Sequence, residues 1–218
     1  MARAGTNTRE AILGAADQLF GEVGFESAST RLIGERSGVN KALIHYHFKD
    51  KSELWNAVLD RYYERLGSEI QTALAQGRKL REQMIGLLGS YLDFLAANRT
   101  FARMVQREVA GGQHVERVTA HMAPLFETGA ALLHEAYPAT LEGPLSAAQL
   151  LVSFYGMAVT WVTYAPVVEQ LLGQDPLGEE GLALRKAHLA RMVDLVIASL
   201  EGQPRAPAAD AAARRRKT

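Results

Sequence analysis

The sequence predicts an all-α protein of about nine helices, and three observations support that fold class. Apolar residues recur at the three- and four-residue spacing of a single helix face from Ile12 to Leu200. No segment alternates polar and apolar residues over enough positions to predict a strand. Helix-breaking residues, including Gly77 and the pair Gly111-Gly112, separate the periodic segments.

The first helix is predicted to begin at Asn7 and to end at Gly24. Asn7 and Glu10 have nearly the spacing and chemistry of a capping box, in which each side chain satisfies a free backbone N–H of the other. Apolar residues from Ile12 to Val23 follow one helix face. Gly24 is suited to the left-handed conformation that ends many helices.

The next two helices are short and are joined by a tight turn. The first covers about residues 30–37, with Ser29 as its N-cap, and the second covers about residues 41–48, with Asn40 as its N-cap. The turn between them is Ser37-Gly38-Val39. Two helices joined in this way form a helix-turn-helix, whose second helix enters the major groove of DNA.

The outward side chains of that second helix are rich in hydrogen-bond donors. Lys41, His45, Tyr46 and His47 can all donate to phosphates or base edges. Residues 30–51 carry a local charge of +3, on a chain whose 24 basic and 24 acidic residues give a net charge of zero. A local positive patch on a neutral protein favours specific DNA binding over a general basic coat.

A long fourth helix is predicted to connect this region to the rest of the chain. It begins near Lys51, because Asp50 and Glu53 form a second near capping box, and it ends at Gly77. A helix of about 25 residues spans roughly 37 Å, enough to join two domains.

The remaining residues are predicted to be helical almost to the C-terminus. Pro124 predicts a kink or an interruption in the seventh helix. Ser146 and Gln149 predict a capping box for the eighth. The later helices cover about residues 80–97, 100–109, 114–137, 146–164 and 179–200, with loops at 138–144 and 166–176.

Two consecutive segments carry a recognisable pattern, TREAILGAADQLFGEVGFESAS followed by TRLIGERSGVNKALIHYHFKDKSELW. They combine an "AA..LF...G" first helix, a "GV" turn and a recognition helix that closes in Phe-Lys-x-Lys. In this ordered combination, over about residues 8–63, the chain resembles the tetracycline-repressor (TetR) family of bacterial transcriptional regulators. Two positions depart from the pattern: Gly34 stands where the family often has Ala, and His45 stands where it usually has Tyr.

The resemblance implies a homodimer whose two recognition helices read a roughly palindromic operator. The eighth and ninth predicted helices would form a four-helix interface with the partner, and a ligand entering the helical core would shift the fourth helix and the spacing of the recognition helices. We therefore expect a DNA-binding domain at 1–50, a helical ligand-binding and dimerisation domain at 51–201, and a tail at 202–218. The tail is rich in Ala and Pro, ends in basic residues and is expected to be disordered.

The expected function is a ligand-responsive, DNA-binding transcriptional regulator, a repressor released by a small, largely apolar effector. Neutral net charge leaves one alternative open, a helical binding or scaffold protein whose helix-turn-helix no longer binds DNA. The expected partners are double-stranded operator DNA, a second copy of the chain and the effector. No long apolar run and no signal-peptide pattern is present, so we expect a cytoplasmic protein with no membrane partner.

The family pattern assigns the base contacts to the start of the recognition helix. Lys41, Ala42 and His45 are expected at base edges or in the groove. Leu43 is expected either to pack on a thymine methyl group or to be half-buried core. Asn40, the N-cap, completes this part of the DNA-binding surface.

The backbone contacts are assigned to both helices and to the start of the fourth. Thr30, Arg31, Tyr46, His47 and Lys51 are expected at phosphates, which position the protein without reading sequence. The alternative for Tyr46 and His47 is packing between the third and fourth helices.

A ligand cavity is expected among predicted helices five to eight, where aromatic and Met side chains are frequent, since ligand sites are mostly apolar. The alternative for each side chain is ordinary core packing. Arg103, Gln106, His121 and Thr160 are candidate polar partners of a ligand. The expected lining residues are Tyr91, Phe94, Phe101, Met104, Met122, Phe126, Phe154, Tyr155 and Trp161.

No cofactor, metal site or catalytic centre is expected. The chain has no Cys, and His114 and His121 lie about 10 Å apart on one helix, too far for one ion without further ligands. The sequence contains no phosphate-binding loop, no dinucleotide-binding glycine motif and no nucleophile elbow. An enzyme is therefore not expected.

Overall fold

Ten α-helices and one 3₁₀ turn form the part of the chain that the computed structural model describes, residues 2–112 and 114–202, with side chains from Asn7 onward. These ranges contain no strand, which confirms the predicted all-α class. The predicted disordered tail lies outside them beyond Gly202. The helices are α1 (Ala2–Ser27), α2 (Thr30–Ser37), α3 (Lys41–His47), α4 (Lys51–Gln76), α5 (Leu80–Ala97), α6 (Arg99–Ala110), α7 (Val115–Ala136), α8 (Ala147–Thr163), α9 (Ala165–Leu172) and α10 (Glu179–Glu201), and the 3₁₀ turn is Pro138–Leu141.

The first helix differs from its prediction at both ends. It begins at Ala2, so Asn7 lies inside the helix and the expected capping box at its start is wrong. Gly24 does interrupt the helix, with φ 82° and ψ 170°. That is an extended conformation of positive φ, essentially restricted to Gly, and not the left-handed helical conformation we expected.

A helix that the sequence did not predict, α9, replaces most of the expected loop at 166–176. Pro166 lies in its first turn, where a missing N–H costs nothing, and Gly173 ends it with φ 71° and ψ 17°. The last helix is therefore α10. No single helix in the described ranges is long and apolar enough to cross a membrane; α8 and α9 meet those criteria only as a pair bent by 81°.

Two other local predictions need correction. α7 runs without a break through Pro124, so the expected interruption is absent. Ser146 is the N-cap of α8, but its side chain makes no capping hydrogen bond, so the box with Gln149 does not form.

The first three helices pack as a bundle around the N-terminal half of α4. Phe20, Ile33, Ile44 and Trp55 are almost fully buried in its core, and the ring of Phe20 meets that of Trp55 edge-on at 5.3 Å. The C-terminal half of α4 packs against α5, which also contacts α8 and α10. At 26 residues, α4 spans roughly 39 Å and belongs to both packed regions.

Two glycines of α1 have different surroundings, and this difference yields a prediction. A Cβ added at Gly14 would meet nothing within 4 Å, whereas one at Gly21 would lie 2.1 Å from Thr100 Cγ2 of α6. Gly14→Ala should raise the free energy of unfolding by about 0.5–1 kcal/mol, because Ala is the better helix former. Gly21→Ala should lower it below wild type, because α1 and α6 must separate. Urea denaturation measures both variants, and equal gains would contradict the close approach of these helices.

Candidate DNA-binding surface and ligand cavity

Side-chain caps fix where the helices of the helix-turn-helix begin. Ser29 Oγ accepts a hydrogen bond from the N–H of Leu32 at 3.2 Å, and Asn40 Oδ1 accepts one from the N–H of Leu43 at 2.9 Å. Asp50 Oδ1 caps α4 in the same way, at 2.8 Å from the N–H of Glu53. Each cap supplies a partner for a free N–H of the first turn. All three predicted N-caps are confirmed.

The turn between α2 and α3 is tight because two glycines allow it. Gly38 has φ 68° and ψ 17°, a left-handed conformation that ends α2. A Cβ on Gly34 would lie 2.9 Å from the carbonyl oxygen of Val39. Gly at position 34, which departs from the family pattern, therefore lets the turn lie directly against α2.

The recognition helix α3 presents an exposed face and a buried one. Ile44 is 1% exposed and Phe48, just beyond the helix, is 2% exposed, so both belong to the core. Tyr46 is 81% exposed and Leu43 is 41% exposed, which excludes core packing for Tyr46 and favours the groove for Leu43. His47 is half-buried, with its ring 5.2 Å from that of Tyr46. Lys41, Ala42 and His45 are exposed.

Some of the basic side chains of this surface form ion pairs within the protein. Arg31 Nη1 pairs with Glu35 at 2.7 Å, and Arg36 Nη1 pairs with Glu22 of α1 at 2.7 Å. The ammonium group of Lys41, by contrast, makes no ion pair with the described side chains. Lys41 is therefore the cation of α3 that is available to DNA without breaking an internal contact.

Lys51, a predicted phosphate contact, is tied to the end of α1. Its Nζ donates to the carbonyl oxygens of Phe25 at 2.8 Å and Glu26 at 3.2 Å, and it lies 4.3 Å from the centre of the Phe25 ring. Since an ammonium group has three N–H donors, one remains for a phosphate. The main contact of Lys51 is thus structural.

A cavity of about 270 Å³ lies among α4, α5, α6, α7 and α8. A smaller cavity of about 60 Å³ adjoins it and shares four lining residues with it. The larger cavity is lined by Tyr63, Leu66, Tyr91, Leu95, Phe101, Ala102, Val105, Gln106, Val109, Ala110, Met122, Leu125, Tyr155 and Val159.

Six of the nine expected lining residues border these cavities. Phe94, Met104 and Trp161 do not. Phe94 and Met104 are each 1% exposed and belong to the packed core. Trp161 packs elsewhere, with Arg185 stacked 4.6 Å above its ring and its Nε1 donating to Pro176 O at 2.9 Å. Those that do line a cavity are Tyr91, Phe101, Met122 and Tyr155 in the larger one, and Phe126 and Phe154 in the smaller one.

Of the four candidate polar partners, only Gln106 lines the cavity. Arg103 and Thr160 are exposed to solvent. His121 lies behind the lining, stacked on Tyr63 at 4.4 Å with Nε2 2.8 Å from Asp60 Oδ1.

Three tyrosines from different helices supply most of the polar atoms of the lining. Tyr63 comes from α4, Tyr91 from α5 and Tyr155 from α8, and the rings of Tyr91 and Tyr155 stack at 5.9 Å. Burial raises the pKa of Tyr63 above its usual range. Burial, followed by the nearby Tyr155, also raises the pKa of Tyr91. Burial also raises the pKa of Tyr155. The three hydroxyls are therefore neutral hydrogen-bonding groups at physiological pH.

α6 lies between the cavity and the helix-turn-helix bundle. Phe101, Val105 and Val109 on one side of α6 line the cavity. Thr100 and Arg107 on another side meet α1 at its glycines. A displacement of α6 by a bound molecule would therefore act directly on α1.

A buried carboxylate connects α6 to the bundle. Glu108 is 5% exposed, and its Oε1 accepts a hydrogen bond from the N–H of Phe25 at 3.2 Å. The break at Gly24 leaves this N–H without a helical partner, so the contact satisfies a buried donor. Glu108 Oε2 lies 3.4 Å from His114 Nδ1, and the His114 ring packs against Phe25 at 4.5 Å.

A second charged group connects α4 to α7 beside the cavity. Asp60 accepts hydrogen bonds from both Arg117 and His121. Neither this group nor Glu108 was predicted from the sequence. Glu108 had a detectable signal, because it falls four residues after Met104 on the buried stripe of α6, where a carboxylate is unusual.

The fold and the two sites define a class, helix-turn-helix regulators with an apolar ligand cavity. Residues 12–58 match the family described as bacterial regulatory proteins, tetR family. The HTH-type transcriptional repressor Rv3405c of Mycobacterium tuberculosis is 30% identical over 174 residues, 80% of this chain and 82% of that protein. The chain belongs to the TetR family of bacterial regulatory proteins.

Two further comparisons cover less of the relative's length or have a lower sequence identity. The HTH-type transcriptional activator FasR of Mycolicibacterium smegmatis is 30% identical over 97 residues, so the chain spans less than half, 44%, of that relative. The transcriptional regulator FadR of Bacillus subtilis, solved in complex with stearoyl-CoA, has a TM-score of 0.66 at 15% identity, covering 84% of this chain and 96% of that one. At that identity the likeness shows the fold alone.

Proposed function

We propose that this protein binds a palindromic operator as a homodimer and is released when a small, largely apolar effector enters the cavity. The arrangement of α6 is the observation that carries the proposal. One side of this helix lines the cavity, and Glu108 on another side holds the backbone of Phe25 in the DNA-binding bundle. An effector that displaces α6 thus moves α1, on which the recognition helix packs.

In the DNA complex, Lys41, Ala42 and His45 contact base edges, and Leu43 packs on a thymine methyl group. Tyr46 contacts the phosphate backbone, because 81% of its surface is exposed and its hydroxyl can donate. Further phosphate contacts come from Thr30, Arg31, His47 and the remaining donor of Lys51, with Asn40 at the helix start.

Repression is the proposed direction of control. The named repressor Rv3405c aligns over 82% of its length, whereas the activator FasR aligns over 44% of its length. A cytoplasmic location is part of the proposal, since a bacterial regulator must reach its operator DNA there. Lys41, His45 and Tyr46 are exposed and make no side-chain hydrogen bond or ion pair with the described residues, which gives no support to the alternative of a scaffold that has lost DNA binding.

The proposed dimer forms through α8 and α10. Both helices expose large apolar side chains to solvent: Val152 of α8 is 58% exposed, and Leu184 and Leu195 of α10 are 57% and 48% exposed. Apolar groups of this size that remain exposed on adjacent helices favour an interface. On the opposite face of α10, Leu189 and Val193 are buried in the core of the subunit.

Replacing Leu184 and Leu195 together by Glu should convert the dimer into a monomer, because four carboxylates would have to be desolvated in a two-fold interface. Size-exclusion chromatography with light scattering measures the change. Val23→Glu is the matched control, since Val23 is 42% exposed on α1, outside the proposed interface. A double variant that remains dimeric would exclude this interface.

The DNA-binding part of the proposal is tested by selecting duplexes from a random DNA pool with the purified protein. Two recognition helices related by a two-fold axis should select an inverted repeat whose half-sites lie roughly 34–36 Å apart, or a multiple of that distance. Enrichment of no sequence would refute the proposed function.

A further inference from the structure

The lining of the cavity carries no charge. Among the described residues that border the larger or the smaller cavity, none is Asp, Glu, Lys, Arg or His. A carboxylate or phosphate placed there would lose its hydration without gaining a counter-charge, which costs far more than burying a neutral polar group. Arg117 and His121 lie behind Tyr63, where both bind Asp60, and neither borders the larger or the smaller cavity.

The polar groups that do reach the lining are neutral. The hydroxyls of Tyr91 and Tyr155 hydrogen-bond to each other, which leaves the pair one O–H donor and its acceptor oxygens for a ligand. Tyr63 supplies a third hydroxyl, and Gln106 is an exposed residue of α6 that lines the cavity. The lining thus matches a ligand with an uncharged hydroxyl, carbonyl or amide group on an apolar body.

The volume of the cavity limits the size of that body. An apolar cavity of about 150 Å³ accepts one benzene molecule, so a cavity of this kind with about 270 Å³ has room for about two rings. The adjoining 60 Å³ allows a short substituent. A long acyl chain with an attached nucleotide exceeds this space and would bring several phosphates.

We infer that the effector is an uncharged molecule of about two rings that hydrogen-bonds to the tyrosine hydroxyls of the cavity. The inference rests on the proposed ligand-responsive function and specifies its ligand. The inference distinguishes this chain from a regulator of anionic effectors, whether free carboxylates or acyl thioesters of nucleotides. A buried anion is stabilised by a nearby cation, and none of the described residues that border the two cavities is Lys, Arg or His.

Calorimetric titration with four probes tests the inference: 2-naphthol, 2-naphthoate, naphthalene and stearoyl-CoA. We expect 2-naphthol to bind at least about tenfold more tightly than 2-naphthoate, since only the latter buries a charge. Naphthalene should bind several-fold more weakly than 2-naphthol, because it cannot form a hydrogen bond with the tyrosine hydroxyls. Stearoyl-CoA should give no saturable binding.

Substitutions of cavity residues test whether the probes bind in the cavity. Tyr91→Phe with Tyr155→Phe should remove the preference for 2-naphthol over naphthalene, whereas Tyr137→Phe, which removes a surface hydroxyl 3.3 Å from Glu201, should preserve it. Ala102→Phe and Val159→Phe fill the cavity from α6 and α8, and each should abolish binding of 2-naphthol. Either filling variant suffices if the other does not fold.

Operator binding by the same preparations separates two kinds of failure. If 2-naphthoate or stearoyl-CoA binds as tightly as 2-naphthol, or if no probe binds while operator binding is intact, the inference is overturned and the DNA-binding regulator stands. If operator binding is absent as well, the proposed function fails with it.

Discussion

The Lys41→Ala, Tyr46→Ala double variant is expected to lose operator binding while remaining a folded dimer. Both side chains are exposed on α3, and Lys41 makes no competing ion pair with the described side chains. Each lost contact to DNA costs about 1–3 kcal/mol, so the loss of two should lower the operator affinity by roughly 30-fold or more. Fluorescence anisotropy with the selected duplex measures the affinity, and light scattering measures the dimer.

The single variants separate the two proposed roles. Lys41→Ala should relax the sequence preference at one position if Lys41 contacts a base edge. Tyr46→Ala should weaken binding about equally across sequences, because a phosphate contact carries no sequence information. Lys79→Ala is the charge-matched control, since Lys79 is exposed at the start of α5, away from α3. Unchanged affinity in the double variant would refute the assignment of these residues.

Ala102→Phe is expected to weaken operator binding without any effector. Ala102 is 6% exposed, lies on α6 and lines the cavity, so a ring at this position occupies the space of the ligand. Coupling free energies between sites are about 1–3 kcal/mol, so the operator affinity should fall by roughly 5- to 150-fold. The affinity of the folded variant for the selected duplex is the measurement.

Ala120→Phe is the matched control for that substitution. Ala120 is exposed on α7 and does not line the larger cavity, so the same change there should leave operator affinity at the wild-type value. Comparable losses in both variants would mean that added bulk, rather than occupancy of the cavity, weakens DNA binding.

The N-terminal third of the fold was readable from the sequence because its signals are local. Ser29, Asn40 and Asp50 cap helices through residues only three positions away, and Gly34 of α2 and Gly38 of the turn act within five positions of the chain. The buried stripe of each helix follows from periodicity alone. These features do not depend on how distant parts of the chain pack.

The contacts that join distant helices could not be predicted from the sequence, because they connect residues that are far apart along the chain. Glu108 and Phe25 are 83 positions apart, and Asp60 and His121 are 61 positions apart. α9 was missed for another reason: Pro166 suggested a loop, although Pro is well tolerated in the first turn of a helix.

The sequence predicted which types of residue line the cavity, but not which positions line it. Aromatic and Met residues were the right classes, yet Phe94 and Met104 pack in the core while Ala102 and Val105 line the cavity. Both sets lie on apolar helix faces, so periodicity cannot distinguish a wall of the cavity from solid core. Only the packing of five helices leaves the space unfilled.

A double-mutant cycle on operator affinity tests most directly whether α6 transmits occupancy of the cavity to the DNA-binding bundle. The cycle compares wild type, Ala102→Phe, Glu108→Leu and the double variant, with circular dichroism to confirm folding. Glu108→Leu removes the acceptor for the N–H of Phe25, whereas Glu108→Gln retains one and should preserve the coupling. We expect Ala102→Phe to weaken operator binding in the wild-type and Glu108→Gln backgrounds and to have little effect in the Glu108→Leu background. Equal losses in all three backgrounds would contradict transmission through this contact.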